Sequence, residues 1–188
     1  MRRTTALLFI ALGFFFLGLS GFFLWQRTTP SRIAFKLNEI QAATTSAAAH
    51  ETVSSRPTVI KLASVGLELP IVPTELKNGH WQATTEGVSY LISSPLPGEI
   101  GNSIFYGHNW PNILGNLPQI KPGDTIEVDF SDGSHKKFRI EYTLTVTPDQ
   151  THILNPSQDR RLTLYTCTGF LDSKRFVAVA IIQPPETP

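Results

Sequence analysis

Residues 136–146 read KKFRIEYTLTV. Phe138, Ile140, Tyr142, Leu144 and Val146 alternate with Lys137, Arg139, Glu141, Thr143 and Thr145. Successive side chains of a strand point to opposite faces, so this period of two predicts a half-buried β-strand with the five apolar residues on one face. TIEVDF, residues 125–130, alternates in the same way, and SDGSH joins the two runs. Asp132-Gly133 suits the tight turn of a hairpin, because glycine accepts a positive φ at little cost. Further strands are predicted at 58–63, 67–72, 88–92, 103–107, 161–167 and 175–182, with Pro97-Gly98 and Pro122-Gly123 as punctuation between strands. Eight short strands and no long amphipathic helix predict an all-β domain, a closed or nearly closed eight-stranded barrel with short helices and loops. The sequence contains no internal repeat.

The amino-terminal end is of another kind. Residues 1–3 are Met-Arg-Arg, and residues 4–25, TTALLFIALGFFFLGLSGFFLW, carry no charge and no proline. As a helix, 22 residues span about 33 Å, enough for the hydrocarbon core of a bilayer. A cleaved signal peptide has a shorter apolar region followed at once by small residues. Here the run ends in Phe22-Phe23-Leu24-Trp25, which predicts an uncleaved transmembrane anchor. Arg2 and Arg3 favour a cytoplasmic start for residues 1–3, whereas Arg27, Arg32 and Lys36 oppose it, so charge alone leaves the orientation open. Residues 26–55 are rich in Ala, Ser and Thr and read as a stalk, partly helical around Ile33–Ile40. Residues 56–183 have the size and composition of one domain with one core, and 184–188 form a tail.

A net charge of +1, with 16% charged residues and no basic stripe, argues against nucleic acid as a partner. Cys167 is the only cysteine, so no disulfide can form within the chain. It ends the run LTLYTC, in which Leu162 and Leu164 share one face while Thr163, Tyr165 and Cys167 share the other. The thiol therefore lies off the leucine face.

A nucleophilic cysteine acts as its thiolate and needs a neighbouring group to take its proton or stabilise the anion. Of the five histidines, His50 falls in the stalk, His135 in the hairpin, His152 in the segment DQTHILNPSQD and His80 beside Trp81. His108 ends an apolar strand in SIFYGHNW, where the chain opens into a loop. Arg175 begins the apolar run FVAVAII after the connection TGFLDSK. If 161–167 and 175–182 are neighbouring strands, Arg175 starts beside the end of the cysteine strand, and its planar set of donors suits an oxyanion or substrate carbonyls. Taken singly, each of the three residues also fits a structural role.

Together they resemble the sortases, cysteine transpeptidases of Gram-positive cell envelopes. TLYTC, 163–167, matches the TLxTC signature of that family. PGEIGNSIFYGHNW, 97–110, is similar to its block ending in the catalytic histidine, and LGNLPQIKPGDTIEV, 114–128, to the stretch leading into the next strand. Arg175 matches the family's arginine, and the order His, Cys, Arg agrees. The resemblance covers essentially all of 56–183.

It implies the eight-stranded sortase barrel behind one transmembrane helix. It also implies a cytoplasmic N-terminus, an extracellular catalytic domain and a single-pass position in the cell membrane. Cys167 would attack the Thr–Gly carbonyl of an LPXTG-like sorting signal to give a thioacyl intermediate. His108 would serve as general acid and base, Arg175 would stabilise the oxyanion and hold substrate backbone, and Thr166 would help shape the substrate site. The partners implied are surface proteins bearing sorting signals and an amine acceptor, either a cell-wall precursor or a pilin lysine. Residues 148–160 would wall the groove. No cofactor is expected; Glu86, Asp129 and Asp132 are the acidic residues available for calcium, but they form no clustered motif. A papain-like protease is disfavoured, because those chains run Cys before His. The alternative class is a non-enzymatic extracytoplasmic barrel that only holds a peptide.

Overall fold

A computed structural model describes residues 2–27, 33–35, 55–77 and 80–184. Helix α1, Arg2–Arg27, contains the apolar stretch Ala6–Trp25, with a mean hydropathy of 2.4 and no part buried. It is long and apolar enough to cross a membrane. The helix forms one compact unit, and the chain from Ile33 onward forms another.

Ten strands follow in the second unit. They are β1 (Pro57–Leu62), β2 (Leu67–Thr74), β3 (Leu76–Lys77), β4 (His80–Trp81), β5 (Val88–Leu91), β6 (Gly101–Gly107), β7 (Thr125–Phe130), β8 (His135–Val146), β9 (Arg160–Thr168) and β10 (Lys174–Ile182). Eight of them close a barrel in the order β1-β2-β5-β6-β9-β10-β8-β7, while β3 and β4 pair as a separate ribbon. The predicted barrel strands are therefore present within a few residues of their expected bounds; the β3–β4 ribbon is an addition. Pairs β2–β5 and β6–β9 are parallel, and the others are antiparallel. The expected hairpin joins β7 to β8. Gly133 has φ 83°, and the Asp132 carboxylate accepts from the Ser134 amide at 2.9 Å.

The long alternation in β8 departs from the one-face expectation. Val179 pairs with Tyr142, but Ala180 pairs with Ile140, so Glu141 is one residue too many for the ladder. Such a bulge reverses the facing of everything beyond it. Phe138 and Ile140 point into the barrel core; Val146 and Leu144 join a different apolar cluster, and Tyr142 is 45% exposed. Ile33–Phe35, from the segment read as a stalk, packs in that second cluster and is not helical. The rest of Ile33–Ile40 lies outside the described residues.

The barrel interior holds Phe105, Phe138, Ile126, Leu162 and Leu164, all with no exposed surface. Removing the Phe138 ring leaves a cavity as well as losing burial. Phe138→Ala should cost about 3–5 kcal/mol, seen as a lower urea midpoint at unchanged slope. A loss under 1 kcal/mol would contradict this packing.

Candidate active site

The candidate residues meet at one end of three neighbouring strands. In the β9–β10 ladder Cys167 stands opposite Arg175. In the β6–β9 ladder Gly107 stands opposite Thr166, so His108, the next residue, leaves its strand beside Cys167. All three side chains are buried: Cys167 is 3% exposed, His108 4% and Arg175 2%.

His108 is held by the loop it opens. Its carbonyl accepts from the Leu114 amide at 3.0 Å, and its imidazole stacks on Trp110 at 4.4 Å with an interplanar angle of 11°. The loop closes tightly because a side chain at Gly115 would meet the Trp110 carbonyl at 2.7 Å. Burial lowers the His108 pKa below its ordinary value, and the Asp172 carboxylate opposes that shift. Asp172 is also tied to the loop, accepting from the Asn109 side-chain amide at 3.1 Å.

Asp172 lies in the turn between β9 and β10, where the backbone is strained. Leu171 and Asp172 have φ of 51° and 59°, a left-handed conformation that costs a non-glycine residue roughly 1–2 kcal/mol. The turn puts the Asp172 carbonyl under Arg175, whose Nη1 donates to it at 2.8 Å and to the Lys174 carbonyl at 2.9 Å. Nε donates to the Ile33 carbonyl at 3.1 Å, and Nη2 to the Ala34 carbonyl at 2.9 Å. Among the described residues, Arg175 therefore gives its hydrogen bonds to backbone carbonyls alone. A buried cation needs such partners to offset its desolvation.

Thr166 is placed differently. It shares the parity of Leu162 and Leu164, and its hydroxyl donates to the Gly107 carbonyl at 2.8 Å, fastening β9 to β6 below His108. Among the other histidines, His135 and His152 are exposed and His50 lies outside the described residues.

Beside the cysteine lies a second, buried apolar cluster on the outer face of the sheet. Tyr106 and Tyr165 stack at 5.5 Å on its floor, and Trp81 meets both rings edge-on. Ile33 and Phe35, 0% and 3% exposed, lie over it. The segment 148–160 joins this cluster through buried Ile153. Asn102 pins that segment, donating to the Ile153 and Asn155 carbonyls at 3.0 and 3.2 Å, while its own oxygen accepts from Thr163. Sequence reasoning missed Trp81, Tyr106, Asn102, Asn109 and Asp172. Parity along β9 did place Tyr165 on the cysteine face, and the pairing of Asn102 with Thr163 rests on strand register alone.

A family model described as the sortase domain matches residues 60–183. The chain belongs to the sortase family. It is 27% identical over 122 residues to sortase A of Bacillus anthracis, a match covering 63% of this chain and 55% of that protein. The chain thus spans little more than half the length of that relative. Among solved structures, sortase C-1 from Actinomyces oris superposes with a TM-score of 0.58 at 28% identity, covering 68% of this chain and 75% of the other. Sortase A from Corynebacterium diphtheriae gives 0.58 at 25% identity, covering 71% and 65%. The eight-stranded closed barrel is thus the sortase barrel, and both sortase A and sortase C enzymes lie at this distance.

Among the described residues no group of three or more His, Cys, Asp or Glu is arranged to hold a metal ion. The Asp129 carboxylate is paired with Lys61 at 2.7 Å, and the Asp132 carboxylate accepts from Ser134.

The imidazole should titrate below about pH 6.5. Because folding lowers this pKa, the folded state binds the proton less well than the unfolded chain, and stability falls as pH drops through that value. Asp172→Asn removes the opposing charge and should move the midpoint lower still, followed by NMR of the His108 ring protons. An unchanged or higher midpoint would remove Asp172 from the electrostatics of the site.

Proposed function

We propose that this protein is a membrane-anchored sortase-type transpeptidase acting on an LPXTG-like sorting signal. One observation carries the reading. A buried cysteine faces, across one ladder position, a buried arginine with four hydrogen bonds to peptide carbonyls, and a histidine leaves the adjoining strand at the same end.

In this reading the Cys167 thiolate attacks the carbonyl carbon of the Thr–Gly bond. Negative charge develops on the carbonyl oxygen, and the Arg175 guanidinium, already fixed in a water-poor site, stabilises it. The C–N bond then breaks, the glycine amine leaves with a proton from His108, and a thioester to Cys167 remains. An incoming amine gives a proton to His108 and attacks the thioester, and the thiolate is released. Thr166 acts through its bond to Gly107, which holds the strand carrying the nucleophile. The amine comes from a cell-wall precursor or a pilin lysine. Helix α1 spans the membrane, with the amino terminus in the cytoplasm and the barrel outside.

Ile33–Phe35 stands on the path of the substrate. The Ile33 and Ala34 carbonyls take the donors that a bound peptide requires, so productive binding displaces this strap. Affinity for substrate is then reduced by the fraction of molecules in which the strap is away. Phe35→Ala removes a ring packed 4.9 Å from that of Tyr165 and should raise kcat/KM several-fold. A fall in kcat/KM would make the strap part of the catalytic apparatus.

Intact-mass spectrometry with an LPXTG peptide tests the reaction itself. The expected product is an adduct on Cys167 that passes to an added amine and is absent in Cys167→Ala. Peptide bound without any adduct would favour a barrel that only binds. Arg175→Lys should lower kcat at least about 100-fold, since an ammonium does not reproduce the two-donor fork. Near-normal turnover would exclude Arg175 from the mechanism.

A further inference from the structure

Tyr165 is fully buried, yet its hydroxyl has no hydrogen-bond partner among the described residues. Buried tyrosine hydroxyls normally find one, and an unmet buried donor is destabilising. Its neighbour Tyr106 shows the usual arrangement, with its hydroxyl bonded to Thr74 and to the Gln82 carbonyl. Burial pushes the Tyr165 pKa well above its ordinary value, so the hydroxyl is a standing donor.

The strap does not answer this donor. Its three consecutive carbonyls accept from other residues, and none accepts from Tyr165. Those of Ile33 and Ala34 accept from Arg175, and that of Phe35 accepts from the Trp81 indole nitrogen at 3.3 Å. The strap side chains are Ile, Ala and Phe, which carry no oxygen, and the Phe35 ring sits edge-on over Tyr165. The occupant of the closed groove thus fills its shape and leaves one donor unanswered.

We propose that Tyr165 is a specificity-determining residue whose hydroxyl reads an oxygen-bearing side chain of the bound peptide, a hydroxyl, amide or carboxylate seated where Phe35 lies in the closed state. This rests on the reading of the groove as the substrate site. A site built to hydrogen-bond a ligand discriminates strongly against one that lacks the group, because the buried donor is then left unpaired. The same donor makes the apolar strap an imperfect occupant, which favours its exchange for substrate.

The test needs no knowledge of the natural signal. Cys167 shares the buried cluster of the strap, so its alkylation by iodoacetamide in the full chain reports strap opening. Phe35→Gln puts a side-chain amide in place of the ring packed against Tyr165. Its acceleration of alkylation should be about fivefold smaller on the wild-type background than on Tyr165→Phe, the difference being one hydrogen bond. Equal acceleration on both backgrounds overturns the proposal. Tyr165→Phe alone should leave the urea midpoint unchanged or raised; a lower midpoint would mean that the hydroxyl is satisfied in the closed state, and also overturns it. Binding of an LPXTG peptide to Cys167→Ala tests the transpeptidase reading separately. A positive double-mutant cycle without LPXTG binding sinks that reading and supports the Tyr165 proposal.

Discussion

A guanidinium 2% exposed, hydrogen-bonded among the described residues to peptide carbonyls alone, is the constraint around which this end of the barrel is organised. Burying a charge is costly unless its surroundings answer every donor. Two of the carbonyls that do so belong to residues 172 and 174, and bringing them under Arg175 requires the strained turn at Leu171 and Asp172. That turn in turn sets Asp172 beside Asn109 and within electrostatic reach of His108. The strain, the histidine environment and the arginine are therefore one arrangement. Strain that persists at such a site is maintained because the surrounding packing over-determines it.

The other two carbonyls come from the strap. Carbonyl dipoles, unlike a carboxylate, leave the guanidinium its full positive charge, and any extended peptide can supply them. In the proposed function, a substrate backbone replaces the Ile33 and Ala34 carbonyls nearly like for like. In that reading Trp81, Tyr106 and Tyr165, which pack against one another, supply the apolar surface for such a backbone.

Strand alternation divides the labour. Along β9, Leu162 and Leu164 enter the barrel core, while Tyr165 and Cys167 face the second apolar cluster. The bulge at Glu141 does the same work in β8 by a different route. It sends Phe138 and Ile140 inward, and Leu144 and Val146 outward to that second cluster. One ladder irregularity lets a single long strand serve both the stability of the barrel and the wall of the site.

Periodicity and turn chemistry are local properties, and they were enough for the sequence alone to determine the barrel strands, the Asp132-Gly133 hairpin, the apolar amino-terminal helix and the face of β9 that carries Cys167. The ordered motifs around His108, Cys167 and Arg175 singled out those residues. Tertiary structure alone decided the rest. The bulge was invisible because the apolar alternation from Phe138 to Val146 is unbroken in sequence, and only pairing with β10 shows the extra residue. The β3–β4 ribbon is two residues long on each side, too short to carry a period. Asp172 became part of the site through a left-handed turn that leucine at position 171 does not favour. The contact of Ile33 and Ala34 with Arg175 joins residues more than 140 positions apart, and a carbonyl has no signature in sequence: every residue has one, and only the fold determines which of them a buried cation will find.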